Sequence, residues 1–339
     1  MPFAFRQATY TKPGIYQWVK PSTAPGAGPF GSTYLQTIIT TIGPGAGGAS
    51  GSAVNNGGAG TLLGGAGGGA GGYINAGYAP AALNSVEDIV VGAGTTGAPS
   101  GSVAGGTSGL VNGAAAVSAS TPSSFGIKLI AHGGGSNATT SGSGGTISVT
   151  GGPIFVNGSP GCASLNCVDA AVQPSTSLAN GAWSPLGNNA GAAGGRTNSA
   201  NPPALYGGGG GSINGTGGGV AANAGGVASA GFFPGAGGGA SGAVIAGGAS
   251  CTGGNGVDAK NNTGSGGGGG GTADNYVTVS PGSIKSGAGG RGSDGLVQVT
   301  DVFTLPPTGN PIYIQWDLVT WFHMLNMARP ISLTGRYQS

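Results

Sequence analysis

Apolar and β-branched residues gather in short runs near both ends of this chain and in two patches between them. Thr9-Tyr10, Ile15-Tyr16-Gln17-Trp18-Val19 and Tyr34 to Ile42 are rich in β-branched and aromatic residues. That composition predicts strands that pack a pleated, half-buried surface. Lys12-Pro13-Gly14 marks a turn, and Lys20-Pro21 ends the second strand. Val86 to Val91 predicts a strand running into Gly92-Ala93-Gly94, and Ser123 to Ala131 repeats that pattern before Gly133-Gly134. Leu296 to Phe303 predicts a closing strand, so residues 9–42 and 295–303 are expected to pair in one β-sandwich.

Beyond Phe303 the pattern changes. Pro306-Pro307-Thr308-Gly309-Asn310-Pro311 reads as a stiff linker. Gln315 to Ala328 reads as a short helix, with Asp317 at its start, Arg329 at its end and Pro330 stopping it. Its apolar residues lie all round the cylinder, which requires burial. Two units are therefore expected: residues 1–303, and a C-terminal linker and assembly segment, 304–339.

Glycine fills the space between the strand-like runs. It takes over at Gly43-Pro44-Gly45-Ala46-Gly47-Gly48, returns from Gly64 to Gly72, and dominates Tyr206 to Gly271, which closes with six glycines. Glycine has no side chain to bury and loses the most freedom on folding, so such tracts are ordered only where the backbone itself is used intensively. Parallel and antiparallel polyproline-II helices laid side by side do this: with three residues per turn, glycines at the contacts let neighbouring backbones touch. Segments 43–72 and 207–271 are expected to form several antiparallel helices of this kind. Collagen is excluded by the uneven runs. Disorder is the competing reading, since 81 glycines and 21 prolines in 339 residues is a low-complexity composition. Against it stands the scarcity of charge, 18 charged residues in all.

The net charge of +2 comes from 10 basic and 8 acidic residues, too sparse for a surface that neutralises phosphates. Nucleic acid is not an expected partner. No run of 18 apolar residues exists, so membrane insertion is not expected either. The N-terminus lacks the apolar core of an export signal. Cys162 and Cys167 read as a pair of free thiols, with a loop disulfide as the alternative.

Catalytic patterns are missing: there is no Gly-x-Ser-x-Gly elbow and no Gly-Lys-Ser/Thr phosphate loop. Glu87 and Asp88 point to opposite faces of their strand, whereas acid–base pairs need convergent carboxylates. No enzyme activity, cofactor or metal is expected. His132 and His323 read as packing residues, and His132 with Cys162 and Cys167 has an unusual spacing for a metal site. Gly253 to Lys260 and Gly289 to Leu296 approach a calcium-binding nonapeptide, but they are not in tandem, and each reads as a turn before a strand.

The order of the motifs resembles a known family. A strand pair ending in Gln17-Trp18-Val19-Lys20-Pro21 is followed by Thr40 to Gly48, Ile89 to Gly94, Ser124 to Gly134 and Gly289 to Val299. That succession, over roughly residues 8 to 303, is similar to glycine-rich domain proteins of tailed bacteriophages. The resemblance implies a mainly β fold: a small β-sandwich from which a polyproline-II bundle projects. It implies a virion location, in a tail fibre, tail tip or fibre-tip adhesin, with other tail proteins as partners and homo-oligomerisation, a trimer being the expectation. Residues 146–206 and the C-terminal extension depart from the family's pattern.

Recognition on such a scaffold belongs to loops joining the bundle helices. Trp183, Tyr206, Phe232 and Phe233 are the candidates for contact with a host-surface glycan or outer-membrane protein; plugging of the bundle's ends is their alternative role. Trp316, Trp321 and Phe322 are candidates for assembly, burying against other subunits, or else for packing on the parent sandwich. Two other functions compete: a purely structural tail-tip, baseplate or capsid-decoration subunit, and an ice-binding protein. The latter is disfavoured by the odd cysteine count and the missing export signal.

Overall fold

The computed structural model describes residues 3–55, 61–62, 64–138, 142–161, 163, 190–191, 194, 197–198, 204–205, 243–245, 250–275, 279 and 281–306. Its strands are numbered in chain order. One five-stranded sheet has the spatial order β1 (Phe3–Tyr10), β20 (Leu296–Thr304), β3 (Thr33–Ile42), β6 (Tyr73–Tyr78) and β13 (Phe155–Ser159). A second has the order β12 (Ile147–Val149), β11 (Leu129–Ala131), β10 (Ser123–Phe125), β7 (Val86–Val91) and β2 (Gly14–Val19). Every pairing in both is antiparallel.

Strand alternation turns one face of each sheet inward. Ile39, Ile74, Ala76, Tyr78, Val297 and Val299 of the first sheet meet Trp18, Ile89, Val91, Phe125, Leu129 and Ala131 of the second in one buried core. Trp18 and Phe125 pack edge to face, with ring centroids 5.4 Å apart. The fold is a β-sandwich whose first and last described strands are neighbours, β1 along β20 and β20 along β3.

Two details differ from the sequence reading. The first strand begins at Phe3, well before Thr9. It also makes no hairpin with β2, which pairs with β7 in the opposite sheet. The turn at residues 11–13 crosses between sheets instead. Both strands carry large rings facing one core, and Tyr10 and Tyr16 meet across it with centroids 5.0 Å apart.

A buried carboxylate joins several of these strands. Asp301 is 1% exposed and accepts from Arg6 Nε at 2.8 Å, Thr37 Oγ1 at 2.7 Å and Trp18 Nε1 at 3.3 Å. Thr37 is in turn hydrogen-bonded to the Tyr34 hydroxyl. Burial pushes that phenol up to about 12. Four strands, β1, β2, β3 and β20, are thereby tied through one carboxylate.

Beyond the sandwich, the glycine tracts run with hydrogen bonds every third residue. Segment 43–52 is central. Gly43, Ala46 and Ala49 donate to the carbonyls of Gly72, Gly69 and Ala66 at 2.8, 3.0 and 2.8 Å. Gly45, Gly48 and Gly51 donate to Ser293, Gly290 and Gly287 at 2.8, 2.9 and 3.1 Å. Gly267, Gly270 and Ala273 donate to Ala46, Ala49 and Ser52 at 2.9, 2.8 and 2.9 Å. A period of three with φ outside the positive region is that of polyproline-II helices.

The residue sums and differences give the directions. Segments 64–72 and 287–293 run antiparallel to 43–52, while 267–273 runs parallel to it. The bundle therefore mixes directions, where the sequence suggested antiparallel helices. The paired glycines are required by space: a Cβ on Gly47 would lie 2.3 Å from the Thr96 carbonyl oxygen, and one on Gly48 2.0 Å from that of Gly268. The described parts of segment 207–271 beyond residue 249 belong to this bundle; residues 207–242 and the expected helix at 315–328 lie outside the described residues.

Candidate functional site

The helices of the bundle carry the chain away from the sandwich to a far end built of short strands. Segment 43–52 has ten residues, which at ~3.1 Å rise per residue spans about 30 Å. At its end β4 (Ala53–Asn55) lies in a sheet of order β16 (Ala243–Ile245), β18 (Ala273–Asn275), β4 and β9 (Gly109–Val111). Beside it is a sheet of order β17 (Cys251–Thr252), β19 (Ile284–Lys285) and β8 (Ser102–Val103). A third small sheet has the order β15 (Ala204–Leu205), β14 (Thr197–Asn198) and β5 (Thr61–Leu62).

Three-residue strands rarely pair in parallel unaided, since parallel pairing needs a long crossover. Here the bundle sets the register. The parallel ladder of 267–273 on 46–52 continues without a break into Ala273↔Ala53, Asp274↔Val54 and Asn275↔Asn55. Ala53, Val103, Cys251, Ala273 and Ile284 close a small apolar core under this end. Burial pushes the Cys251 thiol up to about 11, so it stays protonated at neutral pH.

The polar groups of the end are held rigidly. Asn275 Nδ2 donates to Asn55 Oδ1 at 2.9 Å, and Asn55 Nδ2 donates to the Thr107 carbonyl at 2.9 Å. The loop that receives this bond turns through Gly106, at φ 73° in the left-handed region that favours glycine. Leu110 of β9 stands 54% exposed next to it. The arrangement is a braced platform that presents Leu110 and, on β19, the exposed Lys285, and it is suited to surface recognition.

The asparagine pair was not read from the sequence, although a signal exists. Ala53-Val54-Asn55 and Ala273-Asp274-Asn275 each follow a glycine tract with the same Ala-x-Asn spacing. The residues proposed from sequence, Trp183, Tyr206, Phe232 and Phe233 for contact and Trp316, Trp321 and Phe322 for assembly, all lie outside the described residues, as do Cys162 and Cys167.

Three other readings can be placed. Glu87 is buried and Asp88 exposed, on opposite faces of β7. Glu87 Oε1 accepts from the Asn84 backbone and side chain at 3.0 and 2.9 Å, with the Lys128 ammonium 3.9 Å away. His132, read as a packing residue, is exposed, because it follows β11 just where the chain leaves the core. Asp258 precedes no strand. It lies within the bundle and accepts the Arg291 backbone N–H at 2.6 Å, while Asp294, just before β20, accepts that of Gly94 at 2.8 Å. Both carboxylates satisfy backbone donors that a helix of this type leaves open.

A cleft of about 260 Å³ opens at the sandwich edge between β1 and β2, lined by Arg6, Tyr10, Gln17, Trp18 and Asp301 among others. Its two charged groups are committed to each other, with Arg6 and Asp301 2.6 Å apart. Among the described residues no group of three or more His, Cys, Asp or Glu is placed to hold a metal, and no helix is long and apolar enough to cross a membrane.

Fold and far end together define a mainly β protein: a sandwich bearing a polyproline-II bundle with a braced tip. No protein-family model matches the chain, and no curated protein matches it.

Proposed function

We propose that this chain is a virion tail protein of a tailed bacteriophage, in a tail fibre or tail tip, and that it takes part in host attachment through the far end of its bundle. The observation that carries this reading is the unbroken register from the 43–52 and 267–273 helices into β4 and β18. A tip set by its own stalk holds recognition groups at a fixed distance from the sandwich, the division of labour expected of an adhesin. The succession of motifs that resembles phage glycine-rich proteins supports it independently. The C-terminal segment that follows β20 would join the subunit to sister copies or to other tail proteins, and the ligand would be a glycan or a protein on the host surface.

Gold-labelled antibody against the chain, imaged on intact particles, tests the reading. Label at the host-facing end of the tail, with adsorption slowed by excess free protein, is the expected result. Label on the capsid, or on no particle, overturns it. Label on the baseplate without any effect on adsorption would favour a purely structural subunit.

A further inference from the structure

The outward face of the first sheet is uncharged across all five strands. Register places Thr9, Gln298, Thr40, Asn75 and Asn157 in one row, and Gln7, Thr300, Ile38, Gly77 and Phe155 in the next. These positions alternate with the inward Val297, Val299, Ile39 and Ala76, so all of them turn away from the core. Arg6 and Asp301, the charged residues of β1 and β20, both belong to the inward set. A solvated sheet face ordinarily carries charges, which keep it soluble and unpartnered. This one carries amides and hydroxyls together with the exposed rings of Phe3, Phe5 and Phe155 instead.

The first row is pre-ordered. Gln298 Nε2 donates to Thr9 Oγ1 at 3.2 Å, and Asn75 Nδ2 donates to Thr40 Oγ1 at 2.7 Å. Asn157 is exposed at the outer end of that row. In the second row the Phe155 ring lies over Gly77: a Cβ there would meet ring carbons at 2.3 and 2.8 Å. The glycine lets the ring lie down on the sheet, and Phe155 remains 39% exposed. A flat aromatic surface thus stands one strand residue pair from a row of amides and hydroxyls, with no charge nearby.

We infer that this face binds a neutral polysaccharide, one sugar ring stacked on Phe155 and its hydroxyls hydrogen-bonded by Asn157, Asn75 and Thr40. A pyranose has an apolar face ringed by hydroxyls, which matches an exposed ring flanked by fixed neutral donors and acceptors. The lack of charge selects against anionic polymers, which gain nothing here to offset their desolvation. The repeat of strands at ~4.8 Å accommodates an extended chain running across the sheet. This surface is separate from the bundle tip, and the inference does not rest on the virion reading.

The test uses the full chain on immobilised dextran, mannan, galactan and laminarin, with alginate and hyaluronan as charged controls, read by biolayer interferometry. Retention on at least one neutral polymer and not on the charged pair is expected. Phe155→Ala and Asn157→Ala should each weaken it tenfold or more with unchanged circular dichroism, and Phe155→Trp should retain it. No retention on any neutral polymer overturns the inference, as does retention only on the charged ones. Binding that survives both Phe155→Ala and Asn157→Ala places the site elsewhere and also overturns it.

Discussion

Arg6 and Asp301, 295 residues apart in the chain, meet with the guanidinium Nε 2.8 Å from the carboxylate Oδ2. The contact fastens the first strand to the last, but its two members are not equivalent. Arg6 is half exposed, whereas Asp301 is buried and also accepts from Thr37 and Trp18. Removing the carboxylate takes the acceptor from two buried donors, Thr37 Oγ1 and Trp18 Nε1, whereas Arg6 keeps solvent and the Val19 carbonyl; removing Arg6 leaves Asp301 with both buried donors. Asp301→Ala should therefore cost about 2–4 kcal/mol and Arg6→Ala about 1 kcal/mol in urea unfolding. Equal losses would show that the surface pair, and not the buried network, is what matters.

The bundle depends on absent side chains. Gly48 has the carbonyl of Gly268 where its Cβ would be, at 2.0 Å, and that oxygen is backbone that cannot step aside alone. Gly48→Ala should destabilise by about 1–3 kcal/mol despite the entropy that alanine ordinarily gains. Gly109→Ala is the matched control: its nearest neighbour is Val103 Cγ1 at 3.4 Å, and it should be neutral within about 0.5 kcal/mol. Indistinguishable unfolding midpoints for the two variants would mean that the close backbone packing is relaxed in solution.

How much of this was legible beforehand depends on what each residue type encodes. β-branched runs announced β3, β7 and β20, and the glycine tracts announced backbone-to-backbone packing, because each signal is local. Which strand pairs with which is not local. Trp18 follows a turn after Tyr10, yet its partner strand is β7, a choice made by the common core that Tyr10, Tyr16 and Trp18 face. Helix direction in the bundle was equally hidden, since a glycine tract reads the same for parallel and antiparallel neighbours. The outward row of Thr, Gln and Asn was invisible for another reason: its members come from five strands as far apart as Thr9 and Gln298, and only register assembles them.

Alkaline titration should expose the buried phenols. Tyr78 donates to the Thr150 carbonyl at 2.8 Å, and burial pushes it up to about 12, as it does Tyr34. An unfolded phenol releases its proton near pH ~10. Between those values the folded state holds protons that the unfolded state has lost. The stabilisation is thus complete below about pH 10 and is lost as pH rises through the folded value. Tyr78→Phe should make the fall in stability over that range shallower and cost about 1 kcal/mol at neutral pH through the lost hydrogen bond. An unchanged pH dependence would show that Tyr78 ionises freely.

Cys251 offers a probe of the far end alone. With Cys162 and Cys167 replaced by serine, its thiol is the single reactive sulfur. A folded value of about 11 leaves a minute thiolate fraction at pH ~8, against a substantial one for an open chain near ~8.5. Labelling by a thiol reagent should be at least about a hundredfold slower in the native protein than in urea. Fast native labelling would mean that the tip opens locally and cannot serve as a rigid recognition platform.

The last test concerns the segment after the sandwich. β20 ends at Thr304, so a chain cut after Leu305 keeps every strand of the first sheet, including the Thr304↔Thr33 pairing. We expect Ile312 to Ala328 to be an assembly element, with Trp316, Trp321 and Phe322 burying against other subunits. A lone helix of that length is marginal in water, and three exposed aromatics would form an adhesive patch. Burial of each contributes ~2–3 kcal/mol, enough in sum to anchor a subunit. A stiff proline-rich linker would separate the expected helix from β20, which favours docking away from the parent domain. The truncated chain should keep its circular dichroism and cooperative unfolding while losing self-association in sedimentation and incorporation into particles. A truncated chain that unfolds would show that the segment packs on its own sandwich, and one that still assembles would show that the subunit is anchored elsewhere.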